Sequence, residues 1–282
     1  MKVHSLHIYP LKSGRVIDVS EAEAEAWGLA GDRRYMVTDP DGKFITQREL
    51  QALAQVTAVE SHGALHLTKA GEPDSIAVTF DPARRIPAEV WNSHVTAAVA
   101  DDRVNATLSG WFGRPVKLVN ADAETHRQCS TDWAGDGVET GFSDGYPVLV
   151  TTSGSLRLLN EATMEEGGEP FGMDRFRPNV VIDHPEPFAD DFWGAIEIGG
   201  IRFDLVKPCA RCIMTTQDQL TGERGGPDPM PAMRKLRMST DRRVPGVLFG
   251  WNAVPRGTGT IRIGDPVTVV AERQEGWPVR VR

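Results

Sequence analysis

The apolar residues of this chain arrive in short bursts, and that pattern limits its fold more than any other feature. HSLHIYPL, RRYMVTD, KFITQ, ALHLT, SIAVTF and RPVKLVN are each closed off by Gly, Asp, Pro or Asn before an amphipathic helix could complete its turns. They read as strands. Asp41-Gly42, between RRYMVTDP and KFITQ, is a hairpin signal, because both residues tolerate the positive φ of a tight turn. Short helices are expected at RELQALAQV and RVNATLSGWFG, the second ending on Gly113 as C-cap. Residues 121 to 141 have no clear period and read as a linker or surface loop. Strand YPVLVTT follows, then a helix over SLRLLNEAT with Ser153 or Ser155 as N-cap. Further strands fall at RPNVVID, GAIEIGGIRFDLVKP and GTIRIGDPVTVV, with PDPMPAMRKLRMSTDRR between the last two.

A chain of 282 residues fits two domains of ordinary size. Its 40% apolar and 25% charged content is that of a globular protein, and the net charge of −8 with no long basic run counts against a nucleic-acid surface. MKVHSLHIYPLKSG has no uninterrupted apolar core, and no run of about 18 apolar residues occurs, so neither a signal peptide nor a membrane span is expected. Three cysteines are too few for a disulfide framework. The expected location is the cytoplasm.

Two of those cysteines, Cys209 and Cys212, form a C-x-x-C in VKPCARCIMTTQDQLTG. A redox dithiol would sit at a helix N-terminus, whereas Ile213-Met214-Thr215-Thr216 is a poor helix former. A structural zinc site needs four ligands, and Cys129 is the one other cysteine. Two inert buried thiols are the third alternative. Cations and hydroxyls also gather at strand ends: Lys12-Ser13-Gly14, Arg33 and Arg34, Arg175 and Arg177, and Arg211 between the cysteines. Arginine binds phosphate with a planar fork, and Lys-Ser-Gly offers a charge, a hydroxyl and an approachable backbone. No upstream glycine makes it a nucleotide P-loop. His4 and His7 are an odd number apart, so regular alternation puts them on opposite faces, and all seven histidines read as ordinary.

Taken in order, HIYPLKSG, GDRRYMV, FSDGYPVLV with SGSLRLLN, DRFRPNVVI, KPCARCIMTT and GTIRIGDPVTVV resemble the MOSC-domain proteins of the YcbX and mARC type over nearly the whole chain. The resemblance implies a β-rich α+β fold. An N-terminal β-barrel-like domain (1–120) would precede a MOSC β-barrel domain (121–282) with peripheral helices. It also implies a molybdenum cofactor, a phosphorylated pterin dithiolene completed by one protein thiolate, which maps onto Cys212. By the same similarity Lys12, Ser13 and Arg33 hold the cofactor from one domain and Arg177, Asn179 and Arg211 from the other. Asp144, Gly145 and Tyr146 match the segment lining the metal pocket, with Gly145-Tyr146 where animal members are expected to carry small hydroxyl residues. Asp144 is a candidate proton relay. The implied reaction reduces hydroxylamines, amidoximes and N-hydroxylated bases to amines, the oxygen leaving as water. No cysteine follows Cys212 to hold an iron–sulfur cluster, so a separate ferredoxin- or flavoprotein-type electron donor is expected. The alternative is a non-catalytic cofactor carrier or a sulfur relay.

Overall fold

The computed structural model describes residues 1–280, so the last two positions of the 121–282 segment lie outside the described residues. Its largest element is an eight-stranded sheet, ordered Val267–Glu272, Trp193–Ile198, Ile201–Ala210, Leu248–Pro255, Val148–Thr152, Val180–Asp183, Lys2–Ile8 and Ile17–Val19. Neighbours are antiparallel except Val148–Thr152 with Val180–Asp183. That parallel pair needs a crossover, supplied by the helix Ser153–Glu165. Thr152 is the N-cap of this helix, accepting from Ser155 N at 3.4 Å, one residue earlier than the serine pattern predicts. Helix Asp102–Phe112 ends as expected, with Gly113 left-handed at φ 64°.

The two sequence halves are not spatially separate. Lys2–Ile8 is an N-terminal strand, yet it pairs with Val180–Asp183 on one side and Ile17–Val19 on the other. Glu21–Glu25 likewise pairs with Gly259–Arg262. One core therefore mixes Val3, Leu6 and Leu29 with Val150, Phe203 and Trp251, all nearly or fully buried. A four-stranded sheet (Tyr35–Thr38, Lys117–Asn120, Ser93–Val99, Arg85–Val90) and a three-stranded one (Val56–Ser61, Ala64–Lys69, Ile76–Val78) complete the N-terminal half. The fold is the β-rich α+β class expected.

Local departures have local causes. The Asp41-Gly42 turn forms, with Gly42 at φ 91°, but KFITQ makes only isolated bridges from Lys43 to Glu89 and from Phe44 to Thr38. RELQALAQV yields one 3-10 turn, Gln51–Gln55. Residues 121 to 141 are more than a surface loop: Arg127 is 6% exposed and donates to the carbonyls of Gly141, Ser143 and Asp144. PDPMPAMRKLRMSTDRR contains the helix Met230–Leu236. Among the described residues no helix is long and apolar enough to cross a membrane.

Two buried carboxylate groups fasten these parts together. Asp32 accepts from Tyr9 N at 2.8 Å and pairs with Arg33 at 2.6 Å, its side chain 1% exposed. Asp191 holds Arg237 in a two-pronged ion pair, 2.7 and 2.9 Å, and accepts from Trp251 Nε1 at 3.0 Å. Its neighbour Asp190 is buried with one carboxylate oxygen unpaired. Burial, with the Asp191 charge beside it, pushes the Asp190 carboxyl up to about 7.

Two stability measurements follow. Asp32→Ala strands the Arg33 charge and should lower the unfolding free energy by about 3–5 kcal/mol in urea titrations; a loss below about 1 kcal/mol contradicts the role given to Asp32. For Asp190 the folded state retains its proton after the unfolded chain has lost it. The natural protein should therefore lose stability relative to Asp190→Asn as pH rises from 3.8 to about 7, and no further above that. A flat difference across that window contradicts the assignment.

Candidate functional site

Three of the basic and hydroxyl positions singled out in the sequence share an uncommon backbone. Ser13, Arg33 and Arg177 are left-handed at φ 63°, 48° and 53°. Non-glycine residues persist there only when their surroundings over-determine them, and such strain gathers at ligand sites. The surroundings are visible. Gly14 N bonds to Leu11 O at 2.8 Å, and a Cβ on Gly14 would sit 2.8 Å from Leu11 Cβ, so only glycine closes this turn after Ser13. Phe142 N bonds to Arg33 O at 2.7 Å, and Gly141 approaches the same carbonyl so closely that a Cβ would meet it at 2.8 Å.

These turns open onto one cleft. It brings together Lys12, Ser13 and Arg33 from the N-terminal half and Asp144, Gly145 and Tyr146 from the segment before the Val148–Thr152 strand. Arg177, Asn179, Arg211 and Cys212 complete it, so every site residue named from the sequence lies on its walls. Arg34 does not: it pairs with Glu25 at 2.7 Å and covers the Trp27 ring. The remaining lining includes Arg175, Thr46, Ser143, Cys209 and Asn252. Thr46 and Asn252 had no motif to mark them, and Ser143 lay within FSDGYPVLV without being singled out.

The cations divide into two groups. Arg33 is committed to the protein, donating to Asp32 Oδ2 (2.6 Å), Asn179 Oδ1 (3.1 Å) and Arg177 O (3.1 Å). Asn179 is also committed: Oδ1 additionally accepts from Leu149 N, and Nδ2 donates to His7 O, stitching the Lys2–Ile8 strand to the neighbouring strands. The other arginines keep free donors. Arg175 Nη1, Arg177 Nη2 and Arg211 Nε are buried without a partner. A buried N–H on a charged group costs free energy unless something satisfies it, and the three residues concerned all line one cleft, which fits an anion site. Burial, with Arg33 nearby, lowers Arg177 to about 10. Burial likewise lowers Lys12 despite its contact with Asp144. An anion between them would relieve both shifts.

Asp144 stands at the open side, its side chain 72% exposed. Desolvation in the cleft opposes its ionisation, but Lys12 at 2.6 Å, a hydrogen bond from Trp91 Nε1 at 3.3 Å and the Arg33 charge outweigh it. Its carboxyl is held well below the usual carboxylate range.

The two cysteines of the C-x-x-C are unlike. Cys209 is half-buried, and Arg211 Nη1 lies 2.9 Å from its sulfur while Nη2 donates to Phe176 O. Cys212 is exposed at the start of the 3-10 turn Ile213–Thr216, so the sequence is no dithiol at an α-helix N-terminus. Cys129 is buried, its thiol pushed up to about 11 by burial, and is an inert core group. Among the described residues no cluster of three or more His, Cys, Asp or Glu could hold a metal ion. A metal at Cys212 would need its other ligands from a second molecule. Free guanidinium donors for an anionic group beside one exposed thiol suited to a soft metal fit a phosphorylated cofactor carrying its metal on sulfur.

Comparison with known proteins agrees with this geometry. Residues 1–115 match the MOSC N-terminal beta barrel domain and residues 138–268 the MOSC domain. The chain is 27% identical over 289 residues to mitochondrial amidoxime-reducing component 1 of Xenopus laevis, covering 96% of this chain and 82% of that protein. The human protein of the same name is 27% identical over 284 residues, covering 96% and 83%. Human molybdenum cofactor sulfurase is 27% identical over 260 residues, which is 86% of this chain but 29% of the sulfurase. With both domains matched in order and the residues of their shared motifs gathered on one cleft, the chain belongs to the MOSC-domain proteins that carry a MOSC N-terminal β-barrel domain.

Proposed function

We propose that the protein is a molybdenum-cofactor oxidoreductase that reduces N-hydroxylated compounds, such as amidoximes, hydroxylamines and N-hydroxylated bases, to amines. The observation that carries this reading is the meeting of an exposed thiol, Cys212, with three unpartnered guanidinium donors in one cleft. The names of the relatives, amidoxime-reducing components and a molybdenum cofactor sulfurase, support it.

In this reading Arg175, Arg177 and Arg211 hold the phosphate and pterin with Lys12 and Ser13, and Cys212 supplies the protein's thiolate. Arg33 and Asn179 act one step back, fixing the Arg177 backbone and the Lys2–Ile8 strand that leads to Lys12. The bound group supplies two-electron reduction at sulfur-held molybdenum. Asp144, kept ionised, accepts a hydrogen bond from the substrate's N–H or O–H and orients it in the cleft mouth; a proton passing along this route would rest on Asp144 only briefly. Electrons come from a separate redox protein of ferredoxin or flavoprotein type. The Cys209–Arg211 contact favours one second reading, in which Cys209, held beside the Arg211 guanidinium, relays sulfur in a carrier protein.

Protein purified from cofactor-competent cells should contain molybdenum and pterin in equal amounts; absence of both contradicts the reading. Reduction of benzamidoxime with reduced viologen dye should fall at least about 100-fold in Cys212→Ser and less than about tenfold in Cys209→Ser, since only the first removes a group that touches the metal. Absence of turnover in the natural protein favours the sulfur relay, and equal losses in the two variants favour a Cys209/Cys212 dithiol. For Asp144→Asn the expected change is a raised KM with metal and pterin content unchanged.

A further inference from the structure

On the far side of Tyr9 from the cleft lies a second cavity that the proposed reaction does not use. The Tyr9 ring is part of the wall between them. It lines the second cavity, while the Arg33 and Arg177 guanidinium groups of the first lie over it, both at 4.2 Å. Ser5, His7 and Tyr9 are spaced two residues apart, so they share one face of the strand and its continuation, and all three line this cavity. His4 lines it as well, although alternation alone would turn it away. The register of Lys2–Ile8 against Val180–Asp183 slips between Val3 and Ser5, a bulge that re-aims this stretch.

Ser5 Oγ lies 2.8 Å from His7 Nε2, and His7 Nδ1 lies 2.6 Å from Asp18 Oδ1. Asp18 faces His7 as its direct cross-strand partner, so the contact is set by strand register. The histidine is held on its main chain too: His7 N donates to Asn179 O at 2.9 Å and His7 O accepts from Asn179 Nδ2 at 3.2 Å. A carboxylate on Nδ1 fixes the tautomer in which Nε2 is free to accept, and Nε2 is the atom facing the serine hydroxyl. Hydroxyl, imidazole and carboxylate are thus in the order and at the distances that activate a serine nucleophile.

We propose that Ser5, His7 and Asp18 form a second active site, one that hydrolyses small carboxylic esters. Ser5 Oγ adds to the ester carbonyl carbon while its proton passes to His7 Nε2. The carbon–oxygen bond to the alcohol then breaks, and His7 returns the proton to the departing alcohol. Water attacks the acyl-Ser5 ester with His7 again taking a proton, releasing the carboxylic acid and restoring the serine. Asp18 holds His7 in place. Val16, Leu156, Met173, Pro178 and Val181 line the same cavity and suit an apolar acyl chain. Asp174 beside them disfavours an anionic substrate and repels the carboxylate product.

The test uses the full chain as purified, a fluorophosphonate probe with peptide mapping by mass spectrometry, and p-nitrophenyl butyrate as substrate. The phosphonyl adduct should map to Ser5 in the natural protein and also in Cys212→Ser, which separates this site from the metal reading. Ser5→Ala should abolish labelling, and His7→Gln should slow both labelling and ester hydrolysis about 100-fold. Absence of an adduct on Ser5 overturns the proposal, as does an adduct whose rate is unchanged in His7→Gln. Ester hydrolysis that survives in Ser5→Ala also overturns it.

Discussion

Uncompensated positive charge, buried where the two halves of the chain meet, is the constraint around which the rest of the structure is arranged. Lys12 and Arg33 arrive from the N-terminal half, Arg175, Arg177 and Arg211 from the C-terminal half, and each would be cheaper to keep in water. Part of the cost is met internally: Asp32 takes Arg33, Asp144 takes Lys12, and main-chain carbonyls of Phe142, Phe176 and Arg177 take further donors. The remainder, three N–H groups with no partner, is left for a ligand. The eight-stranded sheet makes the arrangement possible, because inserting Lys2–Ile8 next to Val180–Asp183 brings Lys12 within 2.8 Å of Phe142 O across 130 residues of sequence.

Arg33 shows how fold and site depend on one another. Its left-handed backbone lets its carbonyl accept from Phe142 N, its guanidinium joins Asp32, Asn179 and the Arg177 carbonyl, and its charge lies over Tyr9. It positions both the segment leading to Asp144 and the turn that carries Arg177. A residue with so many fixed contacts has little freedom left to follow a ligand. Ligand recognition therefore falls to Arg175, Arg177 and Arg211, each of which keeps an unpartnered donor.

Much of this was legible in the sequence, and the limits have physical causes. Residue type and strand-end position marked Lys12, Arg33, Arg34, Arg175, Arg177 and Arg211 alike, and the family resemblance picked out Lys12, Arg33, Arg177 and Arg211 from among them. Arg34 carried the same local signal and pairs with Glu25 instead, because Arg33 occupies a left-handed turn and Arg34 follows it ahead of the Tyr35–Thr38 strand. Arg175 was visible as a base but not as a partner of the cleft; only the 3-10 turn Met173–Phe176 buries it there. Thr46 and Asn252 gave no signal, as their place depends on contacts across sheets. The serine–histidine–aspartate contact was hidden for a similar reason. His7 and Asp18 are ordinary residues until strand register sets them opposite each other, and alternation misplaced His4 because a bulge cannot be read from composition.

The C-x-x-C illustrates the difference between spacing and environment. Its two cysteines invite a symmetrical dithiol reading, yet one sulfur is half-buried against a guanidinium and the other is exposed at the cleft. The account therefore makes Cys212 alone the protein's bond to molybdenum. X-ray absorption at the molybdenum edge tests that directly on purified natural protein and Cys212→Ser. The account predicts that the variant shows one fewer sulfur neighbour of the metal while Cys209→Ser keeps the natural number; an unchanged sulfur shell in Cys212→Ser would contradict it.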